Sequence, residues 1–499
     1  MHSSNENENN HPIETIVTDK PANTLTYAHR LLGVYGIIIS TDGAAYLYNK
    51  SDSHEPVYKL GSNKANAVIL KQAHQNGSGV LSLANLKEFN ELYTTSASLD
   101  DTQRKVSSYV EKIESGVEID LGDKDNTHAI ITAGKASRST SDSKNLFYRN
   151  NNYMPFPYPS SEGDINRLDS YLGNMNKDDR ALFIVFLAYT LAHPKSPETK
   201  YVILVLLGGQ GSGKSFLCNI ISALISPSLI GNQVLSTNQK DLIVAAQNAH
   251  VVFFDNVRKL TQRQSDDLCV MATGGHISCR QLYTNGEQFV MPLHACVVLN
   301  GIHDFITESD LAQRSLTLRL SSIDEEERVS EKQLQVNLEK DLPIIFKGLL
   351  DLIAQIFKQL PNVEVTNPER MIDFVHWLAA KEKIDDVLPG TYQKQYSDNL
   401  KEGQIESILD DALAASVAEF AQGLKYEWQS EPVKLFTELS QMAPPASLRT
   451  SQWPKTVNAM SKRLRSLQIA LRSQNIYVEF GRGEKRWIKI RTDKTELEY

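Results

Sequence analysis

Eight consecutive residues carry the clearest chemistry. Gly208-Gly209-Gln210-Gly211-Ser212-Gly213-Lys214-Ser215 fits G-x-x-x-x-G-K-[ST] without a gap. Glycines in that spacing let backbone N–H groups wrap a polyphosphate, and a helix starting behind them presents its positive end to the same anion. Lys214 is spaced to reach the β- and γ-phosphates, and the Ser215 hydroxyl to ligate magnesium. Such a site also needs a carboxylate at the end of a neighbouring strand to hold the metal. Val251-Val252-Phe253-Phe254-Asp255 supplies one, so Ser215 and Asp255 form the expected metal pair and the expected cofactors are ATP and Mg2+. The next residue is Asn256, an amide that cannot take a proton. Hydrolysis must then use another base or Asp255 itself, or run slowly.

These residues need a scaffold. Tyr201–Leu207 is a continuous apolar run, the pattern of a strand buried on both faces of a parallel sheet. A helix from Ser215 to about Ile225 follows, and further strands are expected at Val251–Phe254 and Ala295–Leu299. Strands alternating with helical segments give an α/β pattern. Upstream, Asp164 caps one helix, and Asp178 or Asp179 starts another that runs through Leu182–Ala192 to His193-Pro194.

The remainder divides by composition. Residues 1–25 are an Asn-, Glu- and Ser-rich lead-in expected to be disordered, and residues 26–160 a mixed α/β N-terminal domain. Within that domain, strands are predicted at Tyr35–Ser40, Ala44–Asn49, Val117–Leu121 and His128–Thr132, with a helical stretch over Leu86–Gly116. Residues 161–196 form a helical lead-in, 197–325 the core around the phosphate loop, 326–430 a helical region and 431–499 a basic terminal domain.

The stretch after Asp255 carries a family resemblance. Ala272-Thr273-Gly274-Gly275-His276, followed by Arg280, Tyr283 and Glu287, resembles the turn and basic-aromatic hairpin of superfamily 3 helicases, closest to the primase-helicases of phages and phage satellites. His276 stands where that family has Asp. Val297-Val298-Leu299-Asn300 resembles its sensor strand, and Leu311-Ala312-Gln313-Arg314-Ser315-Leu316 its arginine-finger segment. More broadly, residues from about Gly116 to Lys489 are similar to a group of bacterial and phage ATP-binding proteins often linked to primases. The resemblance implies that Asn300 contacts the γ-phosphate and water, and that Arg314 enters a neighbour's site in a ring. Arg319 is the alternative arginine. Arg280 would then pair with a phosphate and Tyr283 stack on a base.

Charge separates the C-terminus from the rest. The chain has a formal net charge of -8, yet residues 451–499 hold eleven Lys and Arg against five Asp and Glu. Trp453-Pro454 opens a helix through Leu471, and Ile476–Phe480 and Arg486–Ile490 flank a Gly481–Glu484 hairpin turn. Helix plus basic hairpin reads as a winged helix, with Lys462, Arg463, Arg482 and Arg486 as candidate DNA contacts.

Other chemistries find little support. Cys218, Cys269, Cys279 and Cys296 have no paired spacing, which fits reduced thiols in a cytoplasm. Neither H-E-x-x-H nor G-x-S-x-G occurs, and no apolar run approaches the roughly 20 residues of a membrane helix. The expectation is an α/β P-loop NTPase core of superfamily 3/AAA+ type, with a β-rich N-terminal domain and a C-terminal winged-helix-like domain. Its function would be that of an ATP-dependent DNA helicase or translocase in replication of a phage or mobile element. Lys214, Asp255, Asn300 and Arg314 would carry catalysis in a homo-oligomeric ring, expected to be a hexamer. Single-stranded DNA would run in the channel and duplex would sit at the C-terminal domain, with a primase or other replication protein as a further partner. The alternative is a nucleotide-switched DNA- or partner-binding ATPase that does not unwind.

Overall fold

The computed structural model describes residues 31–492 apart from 32, 42, 76–80, 98–102, 141–142, 281–287, 324–328, 425–426, 450–452 and 484; for some others, such as 278–280 and 404–410, it describes the backbone alone. Two compact units divide the chain, one running to Val106 with the stretch ending at Arg149, the other holding 107–140 and 150 onward.

The first unit is built on strands β1 (Tyr35–Ser40), β2 (Ala45–Asn49), β3 (Tyr58–Lys59) and β4 (Gln103–Arg104), in the order β3-β2-β1-β4. Helices α1 (Asn63–Gln75) and α2 (Leu83–Ala97) supply Ile69 and Phe89 to a core with Leu31, Tyr35 and Leu47. The helix expected over Leu86–Gly116 therefore ends early. Gln103–Arg104, Val106–Ser107 and Val110–Ile113 are strands instead, with Tyr109 and Val110 buried.

In the second unit, β5 (Val110–Ile113), β6 (Gly116–Asp120), β7 (His128–Thr132) and β8 (Lys135–Ser139) form an antiparallel sheet in sequential order. Val117, Ile119 and Ile131 from this sheet join the main core. Residues 26–160 consequently do not form one domain, because the apolar face of β6 and β7 is buried on the second unit.

Helix α3 (Lys177–Ala192) is capped by Asn176, two residues before Asp178, the earlier of the two expected acidic starts, and Leu182 through Ala192 are all buried. The central elements then follow: β9 (Ile203–Gly208), α4 (Lys214–Ile225), α5 (Gln239–Asn248), β10 (Val251–Phe254) and α6 (Gln262–Thr273). Strands β11 (Gly275–Arg280) and β12 (Gln288–Leu293) pair as an antiparallel ribbon, and β13 (Cys296–Gly301), the short α7 (Ser309–Ala312) and β14 (Ser315–Leu320) complete the set. The central sheet runs β10-β13-β9-β14, all parallel. Leu204, Leu206, Val298 and Leu318 face one core, and Ile203, Val205, Val297 and Leu299 the other. Burial on both faces explains the continuous apolar run at 201–207.

Helices α8 (Glu331–Gln359), α9 (Ile372–Ile384) and α10 (Thr391–Asp410) pack around this sheet. Gly348 of α8 admits the chain entering residue 165, since a Cβ there would lie 2.3 Å from the Ile165 nitrogen. At the edge, Asn399 of α10 accepts from the Thr317 amide at 3.0 Å and donates to the Thr317 carbonyl at 2.6 Å. One side chain thus closes the buried edge of β14.

The last elements are α11 (Ala412–Gln422), β15 (Glu427–Ser430), α12 (Pro432–Met442), a short helical turn at Pro445–Arg449, α13 (Val457–Ser473), β16 (Ile476–Arg482) and β17 (Arg486–Thr492). Their sheet runs β15-β17-β16, and Leu413, Leu435, Leu464, Leu471, Ile488 and others form a core of their own. The boundary expected at 431 lies earlier, because α11 and β15 are integral to that core.

Asn399→Ala leaves both backbone groups of Thr317 buried without partners, a loss of about 2 kcal/mol or more. Chemical denaturation followed by circular dichroism should show that loss as a lower midpoint.

Candidate functional site

Parallel strands place their C-terminal ends together. Gly208, Asp255, Asn300 and Leu320 stand at or just past the ends of β9, β10, β13 and β14, on one edge of the sheet. The phosphate loop is thereby brought next to the carboxylate and the amide named from sequence.

The loop has the backbone its sequence promises. Gly211 and Gly213 take φ of +75° and +74°, which L side chains rarely adopt. A Cβ at Gly208 would come within 2.6 Å of Ser212 Oγ and 2.7 Å of the Leu320 carbonyl oxygen. Gly213 immediately precedes α4 and accepts from Leu217, so Lys214 and Ser215 fall in the first turn. Lys214 Nζ donates to the Gly208 and Gly209 carbonyls at 2.6 and 2.7 Å and to Ser212 Oγ at 3.1 Å. The ammonium therefore sits in the hollow of the loop. Burial lowers its pKa and the nearby Asp255 carboxylate opposes that shift. The Cys218 thiol, one turn along α4, is pushed up to about 12, first by burial and then by Asp255. Both effects record a carboxylate close to the loop.

Asp255 itself is anchored by its backbone, its N–H donating to the Gln233 carbonyl at 2.8 Å. Asn256 takes φ of +54° and donates its N–H to Asp255 Oδ1 at 2.7 Å. Asn tolerates this left-handed conformation better than most residues. The turn lets Val257 N–H reach the Asn300 carbonyl at 2.8 Å. Asn300 is 2% exposed, and its side chain makes no hydrogen bond to a described residue.

These groups fit a magnesium-bound nucleotide. The loop's hollow suits phosphate, and hydroxyl and carboxylate oxygens at Ser215 and Asp255 are the hard donors magnesium takes.

Arg314 lies elsewhere. It precedes β14, whose first residue pairs with Ile203 at the start of β9. The length of that strand separates it from Gly208, about 17 Å at the usual strand rise. Its Nε donates to Asp310 Oδ2 at 3.2 Å, and Arg370 pairs with the same carboxylate. Arg319 is at the loop end of the sheet, opposite Leu207, 3.8 Å from Asp304. For Arg280 only the backbone at the end of β11 is described, and Tyr283 lies outside the described residues.

In the C-terminal core, Met460, Leu464, Leu467 and Leu471 turn inward, while Lys462 is exposed. Arg463 is committed to Asp411: Nη2 and Nε donate to Oδ2 at 2.5 and 3.2 Å, and Asp411 caps α11 through the Leu413 and Ala414 amides. Arg482 and Arg486 are directly opposite each other on the hairpin, exposed and unpaired with any described carboxylate.

Sequence reasoning missed Asn174. Its Nδ2 donates to the Ser212 carbonyl at 2.5 Å, and its own carbonyl accepts from Ser321 N–H at 2.9 Å. No motif marks it; the tie exists only once the chain preceding α3 folds against the tip of β14.

The site and fold define a mixed α/β chain with a parallel sheet and a glycine-rich loop at its carboxyl edge. Residues 168–399 match the family model of the actinomycete integrative conjugative element replication protein, and residues 413–497 that of the AICE RepA C-terminal domain. Over these stretches the chain is similar to replication proteins of a mobile element. The second match begins within the separate C-terminal core. No curated protein matches the chain. Among solved structures, the apo C-terminal region of NrS-1 has a TM-score of 0.41 at 11% identity, covering 95% of this chain and 100% of that one. SCCmec type IV Cch, titled an active helicase, has a TM-score of 0.43 at 12% identity, covering 90% of each chain.

Two variants check the site. Gly208→Ala should abolish binding of a fluorescent ATP analogue while circular dichroism stays unchanged, because the added methyl strikes the loop itself. Arg463→Ala should cost about 3 kcal/mol of stability by stranding the buried Asp411. Thermal unfolding should show that loss, against a small change in DNA affinity.

Proposed function

We propose that the chain is an ATP-dependent DNA helicase or translocase of superfamily 3/AAA+ type, serving replication of a mobile element. The observation that carries this reading is the convergence of the Gly208–Ser215 loop, Asp255 and Asn300 at one sheet edge. The match to replication proteins of an integrative conjugative element supports it.

Lys214 would hold the β- and γ-phosphates, and Ser215 and Asp255 would hold magnesium, which neutralises charge on the phosphate oxygens when bound. Asn300 would contact the γ-phosphate and the attacking water. Arg314 is too far along β14 to serve its own loop, which supports a role in a neighbour's site. A guanidinium inserted there stabilises transition-state charge, an effect of about 10³–10⁵ in rate. Arg370 stays on Asp310 when Arg314 extends, so that carboxylate keeps a partner. A finger in trans needs a head-to-tail interface that closes into a ring, which we assign as a hexamer. The β11–β12 ribbon, with Arg280 and Tyr283 toward its tip, would follow single-stranded DNA through the channel.

The C-terminal elements, in the order helix, strand, helix, a short helix, helix and hairpin, support a winged helix on duplex DNA. Like charges directly opposite on a hairpin are destabilising, and phosphate would relieve the Arg482–Arg486 pair. Lys462 is the third proposed contact there.

The test is ATP turnover and strand displacement by the full chain. DNA should stimulate turnover, and Lys214→Ala should abolish both activities. Tight ATP binding with negligible turnover and no displacement would instead identify a nucleotide-operated switch, the reading the non-basic Asn256 favours. Replacing Arg482 and Arg486 together with Ala should weaken duplex binding across all sequences and flatten the salt dependence by about two phosphate contacts.

A further inference from the structure

We infer that the nucleoside end of the nucleotide lies on the β14 side of the phosphate loop, against Asn174, Phe216 and Ile323, and that Asn174 makes the site prefer adenine to guanine. This rests on the proposed nucleotide site and specifies its base.

Strand order sets the direction. Asp255 follows β10 and Asn300 is the last residue but one of β13, and both strands lie on one flank of β9. The metal and the terminal phosphate belong on that flank. The rest of the nucleotide must leave the loop toward the other one, where β14 stands. Two side chains meet the loop there. A Cβ built on Gly213 would be 3.7 Å from Asn174 Nδ2 and 3.9 Å from Ile323 Cδ1. Phe216, two residues past Lys214, is half-buried, with its ring centroid 6.3 Å from that of Tyr171. Tyr171 is fixed in turn, its hydroxyl donating to Asp341 at 2.8 Å. An aromatic ring and a branched aliphatic side chain beside the first turn of α4 supply the apolar surfaces a base requires.

The amide supplies the discrimination. The Ser212 carbonyl can only accept, so the NH2 of Asn174 must be the end that faces it. Oδ1 then accepts from no described residue. An unused acceptor suits the exocyclic 6-amino group of adenine and opposes the 6-oxo group of guanine. Ser321 holds the Asn174 carbonyl through both its N–H, at 2.9 Å, and its hydroxyl, at 3.1 Å. The amide is therefore positioned before any nucleotide arrives.

Calorimetry on the full chain with magnesium and ATP, GTP or inorganic tripolyphosphate tests this. ATP should bind about tenfold tighter than GTP, the worth of one good hydrogen bond against one unmet. Asn174→Ala should level ATP and GTP while tripolyphosphate binding is kept. Phe216→Leu should weaken both nucleotides and spare tripolyphosphate. Equal wild-type affinities for ATP and GTP, or a preference that survives Asn174→Ala, would overturn the adenine assignment and leave the phosphate site standing. If Asn174→Ala loosens the loop enough to lose tripolyphosphate as well, Phe216→Leu decides the location: an equal loss of all three ligands refutes it. Failure of the wild type to bind any of the three would refute the phosphate site itself.

Discussion

Burial of the parallel sheet on both faces is the constraint from which the rest follows. Side chains along β9, β10, β13 and β14 alternate between two apolar cores and leave few places for polar groups. Asp255, Asn300 and the phosphate loop are accordingly displaced to the carboxyl edge, where strands end and backbone N–H groups are uncommitted. Placing β9 between β13 and β14 then gives the loop two unlike flanks, one with the carboxylate and buried amide, the other with Asn174 and Ile323.

The same sheet separates its arginines. Arg319 ends β14 beside the loop and Arg314 precedes it at the far edge. Strand length alone sets Arg314 apart from the loop that Arg319 adjoins. In the C-terminal core, basic residues close in sequence divide in a comparable way. Arg463 neutralises a buried cap while Lys462, next to it on the helix, is exposed.

Much of this was legible because its causes are local. Glycine spacing and Lys214 specify the loop, an apolar run ending in Asp255 specifies β10, and the leucine spacing of α13 with a Gly-containing turn specifies the terminal hairpin. What was not legible depends on long-range packing. The strands within 103–113 read as helix because their partners are distant or not yet formed in the local pattern, β1 for Gln103–Arg104 and β6 for Val110–Ile113, and the reach of the C-terminal core was hidden because α11 looks like any other helix of the preceding region. Asn174 and Asn399 gave no signal, since each acts through one hydrogen-bonded encounter with a distant backbone. That Asn256 is no base is legible from its type, whereas its left-handed turn is not.

The central claim is that two edges of one sheet serve the sites of two protomers. Mixing Lys214→Ala with Arg314→Ala tests it most directly, each variant being inactive alone. In a randomly mixed ring at equal amounts, roughly a quarter of interfaces pair an intact loop with an intact finger. DNA-stimulated ATP turnover should recover on mixing, with a maximum near equal proportions. Turnover that stays at the level of the separate variants at every ratio would contradict the claim.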